Sequence, residues 1–207
     1  MKEELKKVVF SPNVIEFLTV AKEYCNFLEN VPEMSRIAFL STVQKILTLL
    51  YLKGAMLPKV QYISEDEESE KFVTEKDWTD LNNKLLLKFG NQDIYTEVFL
   101  PEARELGEPV NASLSENLSD IYQDLKDFVS VFKSGDEELV NDALCTCQTN
   151  FEQYWGQLAV NALGAIHSLC YNPDETFQEE EDEVHDHKPN IDSSFIAQRQ
   201  RDYQNND

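Results

Sequence analysis

The stretch YWGQLAVNALGAIHSLCYNP, residues 154–173, contains no Asp, Glu, Lys or Arg, in a chain of 207 residues with a formal net charge of −21. Placed at 100° per residue, Trp155, Leu158, Ala159, Ala162, Leu163, Ile166, Leu169 and Cys170 share one broad face, which Val160, His167 and Gly156 widen. The remaining strip is Gln157, Asn161, Gly164 and Ser168, uncharged and mostly small. A surface helix ordinarily fills such a strip with Lys and Glu. The pattern therefore predicts a central helix, surrounded on most sides, with Gly164 and its neighbours admitting another backbone. Each glycine inside a helix costs about 0.5–1 kcal/mol relative to alanine, so two of them imply a compensating gain in packing. The alternative is that the strip forms the seam of a homodimer.

Working outward, the rest of the chain reads as helices too. Ser11-Pro12 has the form of an N-cap followed by a first-turn proline. Val14, Phe17, Leu18, Ala21, Tyr24, Cys25 and Leu28 then recur at three- and four-residue steps. Asn30-Val31-Pro32 interrupts this helix, and Pro32 is expected to begin a second one that fades near Gly54; the two form an αα-hairpin. Thr74 and Asp77 have capping-box spacing, with Val73 and Trp78 placed as a hydrophobic staple, for a shorter helix that Gly90 stops. Residues 91–112 look irregular; IYTEVFL (94–100) has strand character but no evident partner, so no sheet is expected. Ser113 and Glu116 make a capping box for a helix over 114–133. A last, long helix is expected from about 136 to 171, with a kink near Thr149-Asn150 or Gly156. The expectation is an all-α bundle of four main helices plus one short helix over residues 1–172. An acidic, disordered or loosely docked tail is expected over 173–207, where periodicity fades.

Composition narrows function by exclusion. The chain has 39 acidic against 18 basic residues, and such a surface repels nucleic-acid phosphates and anionic lipids. Neither nucleic acid nor membrane is expected as a partner. The opening MKEELKKVVFSPN lacks the apolar core of a signal peptide. IAFLSTVQKILTLLYL (37–52) is interrupted by Gln44 and Lys45 and reads as a buried soluble helix. Cys25, Cys145, Cys147 and Cys170 sit within helical patterns and read as reduced thiols of a cytoplasmic bacterial protein.

Enzyme signatures are absent from the sequence: there is no phosphate loop, dinucleotide fingerprint, nucleophile elbow or HExxH pair. His167 and Cys170 lie one turn apart, but Cys145 and Cys147 point to nearly opposite sides of a helix, which argues against zinc. His185 and His187, within EEEDEVHDH, are weak candidates for a divalent ion; the plainer reading is a solvated acidic tail. No metal or other cofactor is expected. A pocket lined by Tyr154, Trp155, His167 and Tyr171 is the basis of one alternative function, a small helical enzyme or ligand-binding protein. The leading expectation is a non-catalytic interaction or adaptor protein. Its acidic surface, Glu65, Asp66, Glu67 and Glu68 together with Glu179, Glu180, Glu181, Asp182 and Glu183, would meet a basic or amphipathic protein partner.

Two segments, NVIEFLTVAKEYCNFLE and YWGQLAVNALGAIHSLC, resemble a family of uncharacterised bacterial domain-of-unknown-function proteins, a similarity covering most of residues 8–172 and leaving the acidic tail outside. The resemblance implies an all-helical cytoplasmic protein. It supplies no activity, and so no functional residues to transfer.

Overall fold

The computed structural model describes residues 2–31, 34–64, 71–97 and 110–171. In chain order they form α1 (Lys2–Val9), α2 (Pro12–Glu29), α3 (Arg36–Ala55), α4 (Glu75–Phe89), a 3-10 turn (Gly90–Gln92), β1 (Ile94–Glu97) and β2 (Val110–Ser113). There follow α5 (Leu114–Phe132), α6 (Glu137–Asn150), a π-helical turn (Phe151–Trp155) and α7 (Gly156–Tyr171). The fold is all-α apart from the small two-stranded ribbon.

Local signals place most of the boundaries. Thr74 Oγ1 accepts from the Asp77 amide at 3.2 Å and the Asp77 carboxylate accepts from the Thr74 amide at 3.1 Å, a complete capping box for α4. Gly90 ends that helix at φ +56°, a conformation that costs other residues more. Asp136 and Ser113 cap α6 and α5 with their side chains. Two boundaries and one cap differ from expectation. The second helix starts at Arg36, where Ser35 accepts from the Ala38 amide, and not at Pro32, which lies outside the described residues. Ser11 occupies the N-cap of α2 but makes no capping bond; its hydroxyl is buried without a partner, directly after α1. The first residues, Lys2–Val9, form an amphipathic helix against α6.

The strand at 94–97 does find a partner. β1 pairs antiparallel with β2, Ile94 opposite Ser113 and Glu97 opposite Val110. The partner, VNAS, is short and polar and doubles as the approach to α5, so it carries no alternating pattern of its own. Buried Asp93 ties the ribbon to that helix, accepting from the Ser113 hydroxyl at 2.6 Å and the Ser115 amide at 2.8 Å.

The central helix is α5, not the uncharged α7. α5 packs against α2, α4, α6 and α7, and it buries polar Ser115, Asn117, Ser119 and Asp127 along with its leucines and aromatics. α7 lies to one side: Val160, Gly164, His167 and Ser168 are exposed. The close approach sits elsewhere as well. A Cβ at Gly164 would meet nothing within 4 Å, whereas one at Gly54 would lie 3.0 Å from the Trp155 ring. The expected kink is the π-helical turn, which inserts an extra residue between α6 and α7. It turns Trp155 wholly into the core, beside Phe151 (centroids 4.7 Å) and Phe17 (6.3 Å). There the indole N–H donates to the Cys147 carbonyl at 3.2 Å. α3 is long and apolar enough to cross a membrane by length and composition, and a third of its apolar window is buried in the bundle.

Candidate functional site

The richest concentration of polar and aromatic side chains lies where α4 runs antiparallel to α5. The chain enters α4 through Asp127, a buried α5 carboxylate that accepts the amides of Phe72 (2.7 Å) and Val73 (3.0 Å). Lys71 adds an ion pair with its other oxygen at 3.5 Å. With its approach clamped and its capping box closed, the first turn of α4 stands between two recesses that share Val73. One, of about 410 Å³, is bordered by the carboxylates of Glu29, Asp77 and Asp80, the amines of Lys84 and Lys126, and the Phe72 and Tyr122 rings. The other, of about 340 Å³, is bordered by Thr74, Glu75, Trp78, Asp120 and Gln123.

Both recesses are built on α5. Glu116, Asp120, Asp124 and Asp127 follow one another at steps of three and four, a carboxylate stripe along one face. Asp120 joins three elements: the Trp78 indole N–H of α4 donates to its Oδ1 at 2.9 Å, and the Tyr154 hydroxyl, from the π-helical turn, donates to Oδ2. Asn150 donates to Asp124 at 2.8 Å. At the other end Tyr122 (2.9 Å) and Lys126 both donate to Glu29 of α2.

The electrostatics follow from these partners. Burial raises the Asp124 carboxyl above its ordinary range, and the neighbouring Asp127 and Asp120 charges add to this against the Asn150 bond. Burial also pushes on Glu29, but Lys126 and Tyr122 outweigh it and hold that carboxyl below the usual value. Asp77 is held low by the Thr74 hydroxyl and amide. Burial, then the hydrogen bond to Asp120, raises the Tyr154 phenol, which stays protonated and donating. Such an arrangement offers negative charge beside aromatic faces, with Phe72 42 % and Tyr154 48 % exposed. That is a surface for cationic groups.

The four residues expected to line one pocket are not brought together. Trp155 is core, Tyr154 reaches across to Asp120, and His167 and Tyr171 stand on the outer side of α7 with ring centroids 4.7 Å apart. His167 Nδ1 is 3.2 Å from Gln44 Nε2 of α3. The cysteines are free; Cys25, Cys145 and Cys147 are buried, and burial pushes the Cys25 thiol up to about 12. Among the described residues no three His, Cys, Asp or Glu side chains are gathered so as to hold a metal ion. His185, His187, Glu65, Asp66, Glu67, Glu68, Glu179, Glu180, Glu181, Asp182 and Glu183 all lie outside the described residues. Asp120, Asp124 and Asp127 carry only their regular spacing as a signal in the sequence, and Trp78, placed there as a hydrophobic staple, is also the donor to Asp120.

The class defined by this architecture is a small helical bundle carrying an acidic, aromatic-walled groove. A family model described as a domain of unknown function (DUF5063) matches residues 8–172, and the chain belongs to that family. The crystal structure of protein BF1032 from Bacteroides fragilis is similar to it, with 44% sequence identity and a TM-score of 0.71. The likeness covers 81% of this chain and 98% of that one. No curated protein matches the chain.

Proposed function

We propose that this is a non-catalytic interaction protein of the bacterial cytoplasm, which receives a basic, amphipathic segment of a partner protein in the α4/α5 groove. The reading is carried by Asp120, which holds Trp78 and Tyr154 on either side of a carboxylate stripe. Aromatic faces and acidic groups thus alternate along one groove, and lysine or arginine side chains bind both chemistries. The large excess of acids over bases supports it further by drawing a cationic segment in from a distance. Charges that accept several hydrogen bonds are costly to move, which suits recognition better than proton transfer.

The chain has two tryptophans, and Trp155 is fully buried away from the groove, so a change in emission on peptide binding reports on Trp78. Titrating the full chain with a lysine-rich amphipathic peptide should change that emission, with an affinity that falls as salt rises. In calorimetric titrations, which need no indole reporter, Trp78→Ala and Asp120→Asn should each weaken binding by about tenfold, the loss of one good contact. An equal response to a glutamate-rich peptide, or binding indifferent to both substitutions, would rule the groove out.

A further inference from the structure

The acidic residues are not spread evenly over the surface. Of 39 carboxylate side chains none falls between Glu33 and Glu65 or between Glu152 and Asp174, so α3 and α7 carry none at all. These two helices pack side by side and antiparallel, with Gln44 against His167 at one end and Tyr51 against Phe151 (centroids 5.3 Å) at the other. Their outer surfaces therefore merge into one face. It exposes Leu49, Leu52, Val160 and Tyr171 by 40–64 %. Lys53 is paired with Glu16 of α2.

We propose that this α3/α7 face is the seam of a homodimer. The argument for a second copy as the occupant is electrostatic. Two chains of charge −21 repel one another over most approaches, and a face free of carboxylates is where they meet at least cost. The patch is largely apolar, with exposed Lys45 as a cation near Cys170, so it adds no negative charge to a two-fold, self-complementary contact. Its extent is adequate. α7 is about 24 Å long and two adjacent helices present a width of about 20 Å, so a two-fold contact buries on the order of 1,000 Å² in total, near the lower bound for a specific interface.

Sedimentation equilibrium of the full chain, across micromolar concentrations, tests the seam. The expected result is a monomer–dimer equilibrium that tightens as salt screens the like charges, opposite in sign to the salt response of peptide binding in the groove. Leu52→Glu and Val160→Glu, both at exposed positions, should each weaken the dimer by at least about tenfold while leaving the circular dichroism unchanged. Leu87→Glu, on the exposed side of α4, should leave it intact. Gly164→Cys gives an independent readout: its side chain would project into open space on this face, where a bifunctional maleimide should link two copies. A monomer at every concentration and salt, a dimer insensitive to both face substitutions, or one weakened equally by Leu87→Glu would overturn the proposal.

Discussion

α5 and α7 reverse what their sequences suggest. α7 has no charged residue and reads as apolar nearly all round, yet a strip from Val160 to Tyr171 faces outward. α5 carries four acids and a lysine, and it is the helix that most of the bundle packs against. The difference lies in what each side chain finds. Asp127 is buried because two backbone amides and Lys71 answer it, and Tyr24, wholly buried on α2, donates to the Leu118 carbonyl of α5 at 2.9 Å. A polar group with partners can be buried at little cost, whereas an apolar one is buried only if something covers it.

The contrast is broken most directly at Trp155, the largest side chain that the α6–α7 segment buries. Trp155→Ala removes the largest fully buried side chain and should cost about 3–5 kcal/mol in urea unfolding of the full chain. A loss under 1 kcal/mol would mean that the indole is not the keystone described above. The two α7 glycines sharpen it next. At Gly156 a Cβ would lie 2.3 Å from the Phe151 carbonyl, so Gly156→Ala should destabilise by about 1–3 kcal/mol. Gly164 has open space, and Gly164→Ala should stabilise by about 0.5–1 kcal/mol through helix propensity alone. Melting temperatures at one protein concentration read both; equal signs would restore α7 to the centre.

The smallest effects concern α5 and α6 carboxylates and appear as pH dependence. Burial opposes ionisation of Asp142, but the Ile63 and Ser64 amides outweigh it and lower its pKa. Its contribution is therefore complete above the unfolded value, about 3.9, and is lost as pH falls through the lower folded value. Acid titration of Asp142→Asn should show a shallower loss of stability over that range. Asp124 has the opposite sign: raised by burial, it favours the folded state when protonated and loses that advantage as pH rises through its folded pKa. Asp124→Asn keeps an acceptor for Asn150 and should be slightly more stable than the parent at neutral pH, a gain that vanishes in acid.

Local signals made much of this legible. The Thr74–Asp77 box, the Ser113 cap on the Glu116 amide, the Gly90 stop and the apolar spacing of α2 and α3 all depend on neighbours within one or two turns. The ribbon was missed because β2 is recognisable only from its pairing with β1 and its tie to Asp93, twenty residues from Ser113. The groove was missed for the same reason: Asp120 gains meaning only when Trp78 and Tyr154, distant along the chain, arrive on either side of it.

The order of residues dictates that this chain is helical, where most helices begin and end, and that its negative charge is withheld from two of them. Those properties follow from periodicity, capping and composition, which act over a few residues. Which helix is central, which glycine is crowded and which carboxylates meet aromatic rings follow from how the helices pack. Burial is a relation between surfaces, and a helix cannot encode alone which of its faces another helix will cover.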